Sequence, residues 1–332
     1  MCVVKKMIEF KLLSLLDKDL QHWDRLNFKE NQQTLFSTPK FLKYHKNQQN
    51  FLFVQIILSN EVIAFIPLSI KDKKATSHSG ATYGGFVQTR ELNDEICKFV
   101  YEKFNKFLKT KGVNGFFLKT PPKTFIKSSN NQLNEYFIKH MEIHEKEETS
   151  FVDLTKKDFT SLEKLDIRRN HKRDIKFYKN NYLNNSKILR IDSKNQMFEY
   201  YKVLENNLSK FDKKPTHSLE ELWFLINNLP DNIWIDVLVY NDKIVSGITN
   251  FKLNNYVNYF FYGSNNYYAN LKGSMKYLYY KSMKNRKLEG YEYIDFGIDA
   301  KQSETPNASL RSFKEGFNTI HENRYLYLLD YE

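Results

Sequence analysis

The stretch that decides the fold runs from Tyr256 to Phe317 and reads YVNYFFYGSNNYYANLKGSMKYLYYKSMKNRKLEGYEYIDFGIDAKQSETPNASLRSFKEGF. Its first residues, 256–262, are aromatic or β-branched and predict a strand that stops at Gly263. Apolar residues at helical spacing then predict a helix that opens at Lys272 and ends at Gly290.

The rest of this stretch repeats the strand and helix pattern. A second strand is predicted over 291–297, followed by a polar loop over 299–307 and a short helix over 310–317. The sequence therefore predicts a strand-helix-strand-helix unit with its polar residues at the junctions.

The start of the first helix carries Lys272, Gly273 and Ser274. Unpaired amide N–H groups and the positive end of the helix dipole converge at such a position and favour an anion. We therefore expect the pyrophosphate of a cofactor at this helix N-terminus.

The first half of the chain predicts a similar unit. Apolar runs over 51–58 and 62–70 predict a β-hairpin, and Pro67 predicts that its second strand lies at an edge or contains a bulge. A helix over 92–111 and a strand over 114–120 follow. The same order recurs from Ile233 to Asp330, so the 332 residues are predicted to form two α/β domains, 1–155 and 156–332.

Composition narrows the choice of compartment and partner. The net charge of +12, from 51 basic against 39 acidic residues, favours a polyanionic partner, although a basic proteome from an AT-rich genome explains it equally well. No apolar run is long enough to span a membrane, and the first residues are too soon polar for a signal peptide. Cys2 and Cys97 give neither a disulfide framework nor metal-ligand spacing, so we expect a reducing cytoplasm.

Several motifs together resemble the FemABX and related acyltransferases, which are built from two GNAT-type domains. The YIDFG strand end at 293–297 and the SFKEGF segment at 312–317 are similar to the closing half of that family, and Arg168-Arg169-Asn170 resembles its R-R-N segment. The chain departs from many relatives at Ile298 and Asn318, where they carry glycine.

Two further segments resemble the branch that acylates amino sugars for surface polysaccharides, SHSGATYGG at 77–85 and KPTHS at 214–218. The resemblance implies an α/β (α+β) fold of two tandem GNAT-like domains, each a mixed, largely antiparallel sheet flanked by helices. It implies a bacterial cytoplasmic N-acyltransferase for O-antigen or capsule synthesis. Such an enzyme would move an acetyl or short hydroxyacyl group from acyl-CoA to a nucleotide-activated amino sugar, with no metal and no DNA partner.

Two other functions remain open. An aminoacyl-tRNA-dependent transferase of the FemABX type, acting on a peptidoglycan precursor, is favoured by the charge but lacks the long helical-arm insertion of many relatives. A nonenzymatic nucleic-acid-binding protein predicts salt-sensitive binding of bulk RNA and no acyl transfer.

The candidate catalytic residues are His217, Lys314 and Asp299. Transfer to an amine needs a base of near-neutral pKa, and His217 lies between Pro215 and a helix start that Ser218 is predicted to cap. Lys314 would stabilise the oxyanion or bind a phosphate, against the alternative of a surface lysine that lies along apolar neighbours. No Ser or Cys nucleophile motif and no nucleotide-binding glycine loop is found, which favours direct attack of the amine on a thioester.

The resemblance also implies binding residues, in the C-terminal domain for the acyl donor and in the N-terminal domain and linker helix for the acceptor. A purely structural turn is the alternative for Tyr83-Gly84-Gly85, and a solvated basic helix is the alternative for Arg168 and Arg169. The cofactor-binding candidates are Lys272, Gly273, Ser274 and Ser264, and the substrate-binding candidates are His78, Ser79, Tyr83, Gly84, Gly85, Arg168, Arg169 and Tyr262.

Overall fold

The computed structural model describes residues 7–13, 18, 20, 21, 23, 34–45, 51–77, 80–127, 129–265, 271–298 and 307–331. The strands of this part of the chain are β1 (Ile8–Leu13), β2 (Phe51–Leu58), β3 (Glu61–Lys71), β4 (Lys74–Thr76), β5 (Val87–Gln88), β6 (Gly115–Lys119), β7 (Glu142–Asp153), β8 (Ser186–Arg190), β9 (Ile233–Tyr240), β10 (Lys243–Lys252), β11 (Val257–Asn265), β12 (Tyr293–Ile298) and β13 (Ile320–Asp330). The helices are α1 (Pro39–Leu42), α2 (Asp94–Thr110), α3 (Gln132–Ile138), α4 (Arg169–Tyr182), α5 (Lys194–Ser209), α6 (Leu219–Asn228), α7 (Ser274–Leu288) and α8 (Ala308–Glu315).

The chain divides into two compact units. The first extends to Glu147 and includes the residues from Asn323 onward, and the second runs from Glu148 to Glu322. This differs from the predicted boundary at residue 155, which assigned the whole C-terminal part to the second domain. The reason is that β13 pairs with β6 from Leu326 to Asp330 and so completes the sheet of the first unit.

The first unit is a mixed sheet in the order β1-β2-β3-β4-β6-β13, with β5 paired to β3. Only β4 and β6 run parallel. Helix α2 buries Ile96, Val100, Phe104 and Leu108 in its core, which are residues at helical spacing.

The second unit repeats this arrangement with the order β8-β9-β10-β11-β12-β7. Here β11 and β12 are the parallel pair, and α7 connects them as α2 leads into β6 in the first unit. The matching hairpins turn through pairs of positive-φ residues, Ser59-Asn60 and Asn241-Asp242, as tight turns of this type require. The two units therefore share one topology.

Two details correct the predictions. Strand β3 is not an edge strand, because it pairs with β2 on one side and with β5 and β4 on the other. The other predicted possibility, a bulge, is present in β3, because Ile63 is an extra residue between Val62 and Ala64. Pro67 itself lies between the residues that pair with β5 and those that pair with β4. The basic linker segment, predicted over 161–180, is helical only from Arg169, and residues 161–168 form turns with Leu162 and Leu165 buried.

In the part of the chain that the structure describes, no helix combines the length and apolar character needed to cross a membrane.

Candidate active site

The two parallel strands of the second unit separate after a short paired segment. Pairing runs from Val257 opposite Tyr293 to Tyr259 opposite Asp295. Beyond these residues β11 continues to Asn265 and β12 to Ile298, and within the described chain no registered pair joins them there. We call the space between these separated segments the wedge. Its two walls carry backbone groups with no strand partner across it, a natural place for an extended ligand.

A bulge shapes the first wall. Tyr262 lies opposite Thr249 of β10 while Phe260 lies opposite Asn250, so Phe261 is an extra residue on β11. The side-chain alternation shifts at this point. Tyr262 therefore faces the loop that carries His217, and Gly263 faces Tyr279 of α7.

A second irregularity shapes the other wall. Between Asp295 and Ile298, β12 loses register with β7. Asp295 Oδ1 accepts hydrogen bonds from the Gly297 N–H at 2.8 Å and the Thr149 hydroxyl at 2.8 Å, and Gly297 has a φ of +69°. Asp295 therefore orients the neighbouring backbone of β12 and holds it to β7.

Lys314 is bonded to the same segment of β12. Its side chain is 4% exposed, and Nζ donates to the carbonyls of Gly297 at 2.7 Å and Ile298 at 2.9 Å. Asn307 is the N-cap of α8, the helix that carries Lys314, and its side chain accepts the Leu310 N–H. Lys314 is thus not a surface lysine, and its ammonium holds the end of β12.

His217 lies on the other side of the wedge, beside β11. Ser218 caps α6 in a complete capping box with Glu221, as the sequence predicts. The His217 ring is buried, its centroid lies 5.3 Å from that of Phe261, and Nδ1 lies 3.4 Å from the Tyr262 hydroxyl oxygen. Burial raises the pKa of Tyr262, and hydrogen bonds from Thr216 and His217 oppose that shift.

The N-terminus of α7 joins the wedge to the basic helix α4. Gly273 is the N-cap with a φ of +86°, and a Cβ there would lie 2.2 Å from the carbonyl oxygen of Asp174. The Ser274 hydroxyl donates to Asn265 Oδ1 at 2.9 Å, which fixes the helix start to the end of β11. Lys272 Nζ lies 4.0 Å from Asp174 and 55% of its side chain is exposed, so its charge remains accessible to a ligand.

Ser264 lies between these groups on β11. It is fully buried, with its hydroxyl beside that of Tyr200.

The R-R-N segment serves partly to join helices. Arg168 is the N-cap of α4, its N–H donates to the Gly316 carbonyl at 2.9 Å, and its guanidinium pairs with Glu315 at 2.8 Å. Arg169 is exposed at the first position of α4. Of the two arginines, Arg169 is therefore the one that can reach a ligand without breaking an ion pair.

The corresponding place in the first unit is closed by its own backbone. The Ser77 N–H donates to the Phe117 carbonyl at 3.0 Å, and the Lys119 N–H donates to the Ser77 hydroxyl at 3.2 Å. The Gly84 N–H then donates to the Lys119 carbonyl at 2.7 Å. These bonds join the segment after β4 to β6, so among the described residues of the first unit no wedge opens at this point.

The neighbouring loop residues are buried or lie outside the described residues. Tyr83 is 0% exposed, with the Arg324 guanidinium 5.6 Å from its ring, and Gly85 has a φ of +112°. Arg324 is itself held by Glu147 at 2.6 Å, a buried pair that no local sequence signal indicated. His78, Ser79 and Asp299 lie outside the described residues.

The structure therefore groups the predicted residues of the second unit around one wedge. His217, Tyr262 and Ser264 lie along β11, Lys314 lies at the end of β12, and Gly273 and Ser274 lie where β11 leads into α7. Two contributors were missed, Asp174 and Thr149, because each acts on a residue more than 90 positions away in sequence. Among the described residues, no cluster of His, Cys, Asp and Glu could hold a metal ion.

Known proteins similar to this chain are found by comparing structures and not by comparing sequences. No family model and no curated protein matches the sequence. Among solved structures, the chain is similar to FemX, with a TM-score of 0.67, 12% identity and 97% of each chain covered.

Two other solved structures show the same likeness. The C-terminal domain of a putative lysylphosphatidylglycerol synthetase from Agrobacterium fabrum gives a TM-score of 0.60 at 14% identity, with 94% of this chain and 91% of that one covered. A tandem GNAT protein from the clavulanic acid biosynthesis pathway gives 0.55 at 7% identity, with 98% and 99% covered. The chain has a tandem GNAT-like fold. The predicted fold class is thereby confirmed, and identities this low concern the fold alone.

Proposed function

We propose that the protein is an N-acyltransferase that moves an acetyl or short hydroxyacyl group from acyl-CoA to the amino group of a nucleotide-linked deoxyamino sugar, for cell-surface polysaccharide. One observation carries the proposal. The wedge of the second unit is open where the same position of the first unit is joined by Ser77 and Gly84. A duplicated fold that keeps one copy open and closes the other has one donor site.

The wedge suits coenzyme A because of the shape and chemistry of its pantetheine arm. This arm is an extended chain with two amide groups, which can pair with strand backbone as an added strand does. The pyrophosphate that follows the arm would lie at the N-terminus of α7, where Lys272 adds positive charge.

The reaction requires polarisation of the thioester carbonyl and removal of a proton from the amine. The extra residue of the β11 bulge, Phe261, leaves backbone out of the regular ladder at the wall of the wedge. We assign the developing oxyanion to backbone N–H groups of β11 beyond Tyr259, which stabilise negative charge without reorganising.

Lys314 and His217 then take different roles. Because Nζ of Lys314 already donates to two carbonyls, we propose that it holds the wall of the wedge in place of the predicted contact with the oxyanion. His217 remains the proposed base, with its ring positioned by the capped start of α6. Replacing His217 by Asn should lower kcat by roughly 10²- to 10⁴-fold, with partial recovery at high pH as the free amine becomes neutral.

The acceptor is proposed to contact exposed basic residues of the second unit, with Arg169 as the first candidate. The buried Tyr83 ring is better explained as a packing residue beneath Arg324.

Calorimetry with desulfo-coenzyme A tests the donor site without knowledge of the acceptor. Lys272→Glu should weaken binding because it reverses the charge at the N-terminus of α7. Lys284→Glu makes the same charge change within α7, 10 residues beyond Ser274 and away from the helix N-terminus, and should bind as the wild type does. Failure of the wild-type protein to bind the coenzyme would overturn the acyl-CoA proposal.

The aminoacyl-tRNA alternative is favoured by a specific surface. Arg169, Arg173, Lys176 and Lys179 are exposed along α4 and form a basic face. Incubation with charged tRNA and with acetyl-CoA, each with an amino-sugar nucleotide and a peptidoglycan precursor, separates the two donors. Transfer from charged tRNA alone would establish the alternative, and salt-sensitive RNA binding without any transfer would establish the nonenzymatic function.

A further inference from the structure

A cavity of about 720 Å³ lies in the second unit, beside the last turns of α7. One wall is the loop after β7, residues 155–160, and the other is formed by Lys284, Lys287 and Leu288 of the helix. Its volume is in the range of small-molecule sites. At a rise of about 1.5 Å per residue, Lys284 lies roughly 15 Å along the helix from Ser274, so the cavity is separate from the proposed donor site.

The loop wall of this cavity is held in shape by its own polar bonds. Asp158 Oδ1 accepts the Thr160 N–H at 2.8 Å, and Lys157 Nζ donates to the Asp166 carbonyl at 2.7 Å and to its carboxylate at 3.1 Å. The ammonium of Lys287 donates to the Lys157 carbonyl and so joins the helix to the loop. Because these bonds are made without a ligand, the cavity is preformed.

Part of the lining is apolar. The Phe159 ring is 7% exposed and packs on Tyr280 of α7, with 6.2 Å between the ring centroids. Leu288 lies at the rim and is 77% exposed. A ligand that filled the cavity would therefore gain free energy by covering this apolar surface.

The helix wall carries two positive charges without a carboxylate partner. Lys284 is half-buried and makes no hydrogen bond or ion pair within the part of the chain that the structure describes. Lys287 is also half-buried, and its described acceptor is a carbonyl. The other two lysines of the lining are each paired with an aspartate, Lys156 with Asp153 and Lys157 with Asp166.

The acidic side chain of the lining, Asp158, fixes where an anion can lie. Hydrogen bonds from Thr160 lower the pKa of Asp158, so this carboxylate is ionised at neutral pH and repels an anion from the loop wall. Lys284 and Lys287 are three positions apart and lie side by side on the helix. An anion is therefore expected against the helix wall, between these two ammonium groups.

We propose that this cavity binds a phosphate monoester with a compact apolar body. The phosphate lies between Lys284 and Lys287, and the apolar body covers Phe159 and Leu288. A phosphate monoester carries a charge of about −1.5 to −2 at pH 7, which matches two ammonium groups. Lysine binds phosphate as a point charge, so no bidentate geometry is required. This site does not depend on the proposed acyl transfer, and its ligand is either a soluble ester or a lipid headgroup.

Titration with phenyl phosphate and with inorganic phosphate, followed by the amide NMR signals of the loop, tests both parts of the site. We expect phenyl phosphate to bind at least about 10-fold more tightly than inorganic phosphate, and Leu288→Ser to reduce that preference. Lys284→Met should weaken phenyl phosphate binding roughly 10-fold. The control is Lys281→Met, which changes a half-buried lysine of the same helix that does not line the cavity and should keep the wild-type affinity.

Two results would overturn the proposal. Equal affinities of the wild type and Lys284→Met would remove the helix lysines from the site, and equal affinities for the two phosphates would remove the apolar contact. Lys272→Glu separates the cavity from the donor site, because it should leave phenyl phosphate binding unchanged. Loss of binding in that variant would place the probe at the N-terminus of α7 and would also overturn the proposal.

Sedimentation with phosphatidylcholine vesicles, with and without phosphatidic acid, identifies the source of the ligand. Sedimentation that requires phosphatidic acid and is lost in Lys284→Met would identify a lipid headgroup. Binding of phenyl phosphate without sedimentation would identify a soluble ester. If neither the vesicles nor phenyl phosphate bind the wild-type protein, the site is refuted.

Discussion

Replacement of Lys314 by Met tests the proposed architecture of the wedge. The ammonium group is buried and donates to the carbonyls of Gly297 and Ile298. Charge-assisted hydrogen bonds contribute about 1.5–3 kcal/mol each, so the two together contribute about 3–6 kcal/mol. Because the Met variant no longer buries a charge, part of this is regained, and the expected net loss of unfolding free energy is about 3 kcal/mol. With a urea m-value of about 2 kcal/mol/M, the unfolding midpoint of the second unit should fall by about 1.5 M.

Tryptophan fluorescence can follow that unit alone. Trp223 and Trp234 lie in the second unit and Trp23 in the first, so a Trp23→Phe background reports on the unit of interest. The matched control is Arg311→Met on the same helix. Its guanidinium is 44% exposed and pairs with surface carboxylates, so its loss should cost under about 1 kcal/mol.

The result that would refute the reasoning is equal unfolding midpoints for the two variants. Lys314 would then be free to leave β12, and the predicted contact with an oxyanion or a phosphate would regain support.

Three further predictions concern single residues. Burial lowers the pKa of His171 from 6.5 to about 4, so the neutral imidazole stabilises the folded protein fully above pH 6.5, and about 3 kcal/mol of unfolding free energy is lost as the pH falls toward 4. His171→Gln should therefore make the urea-derived unfolding free energy less dependent on pH between 6.5 and 4, and an unchanged pH dependence would contradict the prediction. Gly273→Ala should destabilise the second unit even without ligand, because its Cβ would meet the Asp174 carbonyl, whereas Gly290→Ala, with open space around it, should cost less; equal losses would contradict this. Burial raises the pKa of the Cys97 thiol to about 11, so little reactive thiolate is present at pH 8. Iodoacetamide at pH 8 should therefore label Cys97 far more slowly in the folded protein than in urea, and equal labelling rates would contradict its burial.

Local sequence patterns were sufficient for elements that depend on near neighbours. The α7 helix, the strands on either side of it and the capping box of Ser218 and Glu221 each rest on residues within one or two turns. The duplicated topology followed from the order of such elements.

The wedge could not be predicted in the same way. It depends on Asp295 bonding to Thr149, on Lys314 reaching back to Gly297, and on the Tyr262 hydroxyl meeting the loop at Thr216. These partners are separated by 146, 17 and 46 positions, and a sequence offers no local signal for such pairs. His217 and Tyr262 were both named as candidates from the sequence, whereas the contact between them required the fold.

The division of the chain has a consequence for how it folds. The second unit is one continuous segment, while the first needs the part of β13 from Asn323 onward, which follows the whole of the second and includes the residues that pair with β6. During synthesis the second unit can therefore complete its sheet while β6 still lacks its antiparallel neighbour, and an unpaired strand is open to incorrect pairing. A slow final step, the docking of β13 onto β6, is expected in refolding, and any expression fragment that ends before Leu326 would leave the first unit without one of its strands.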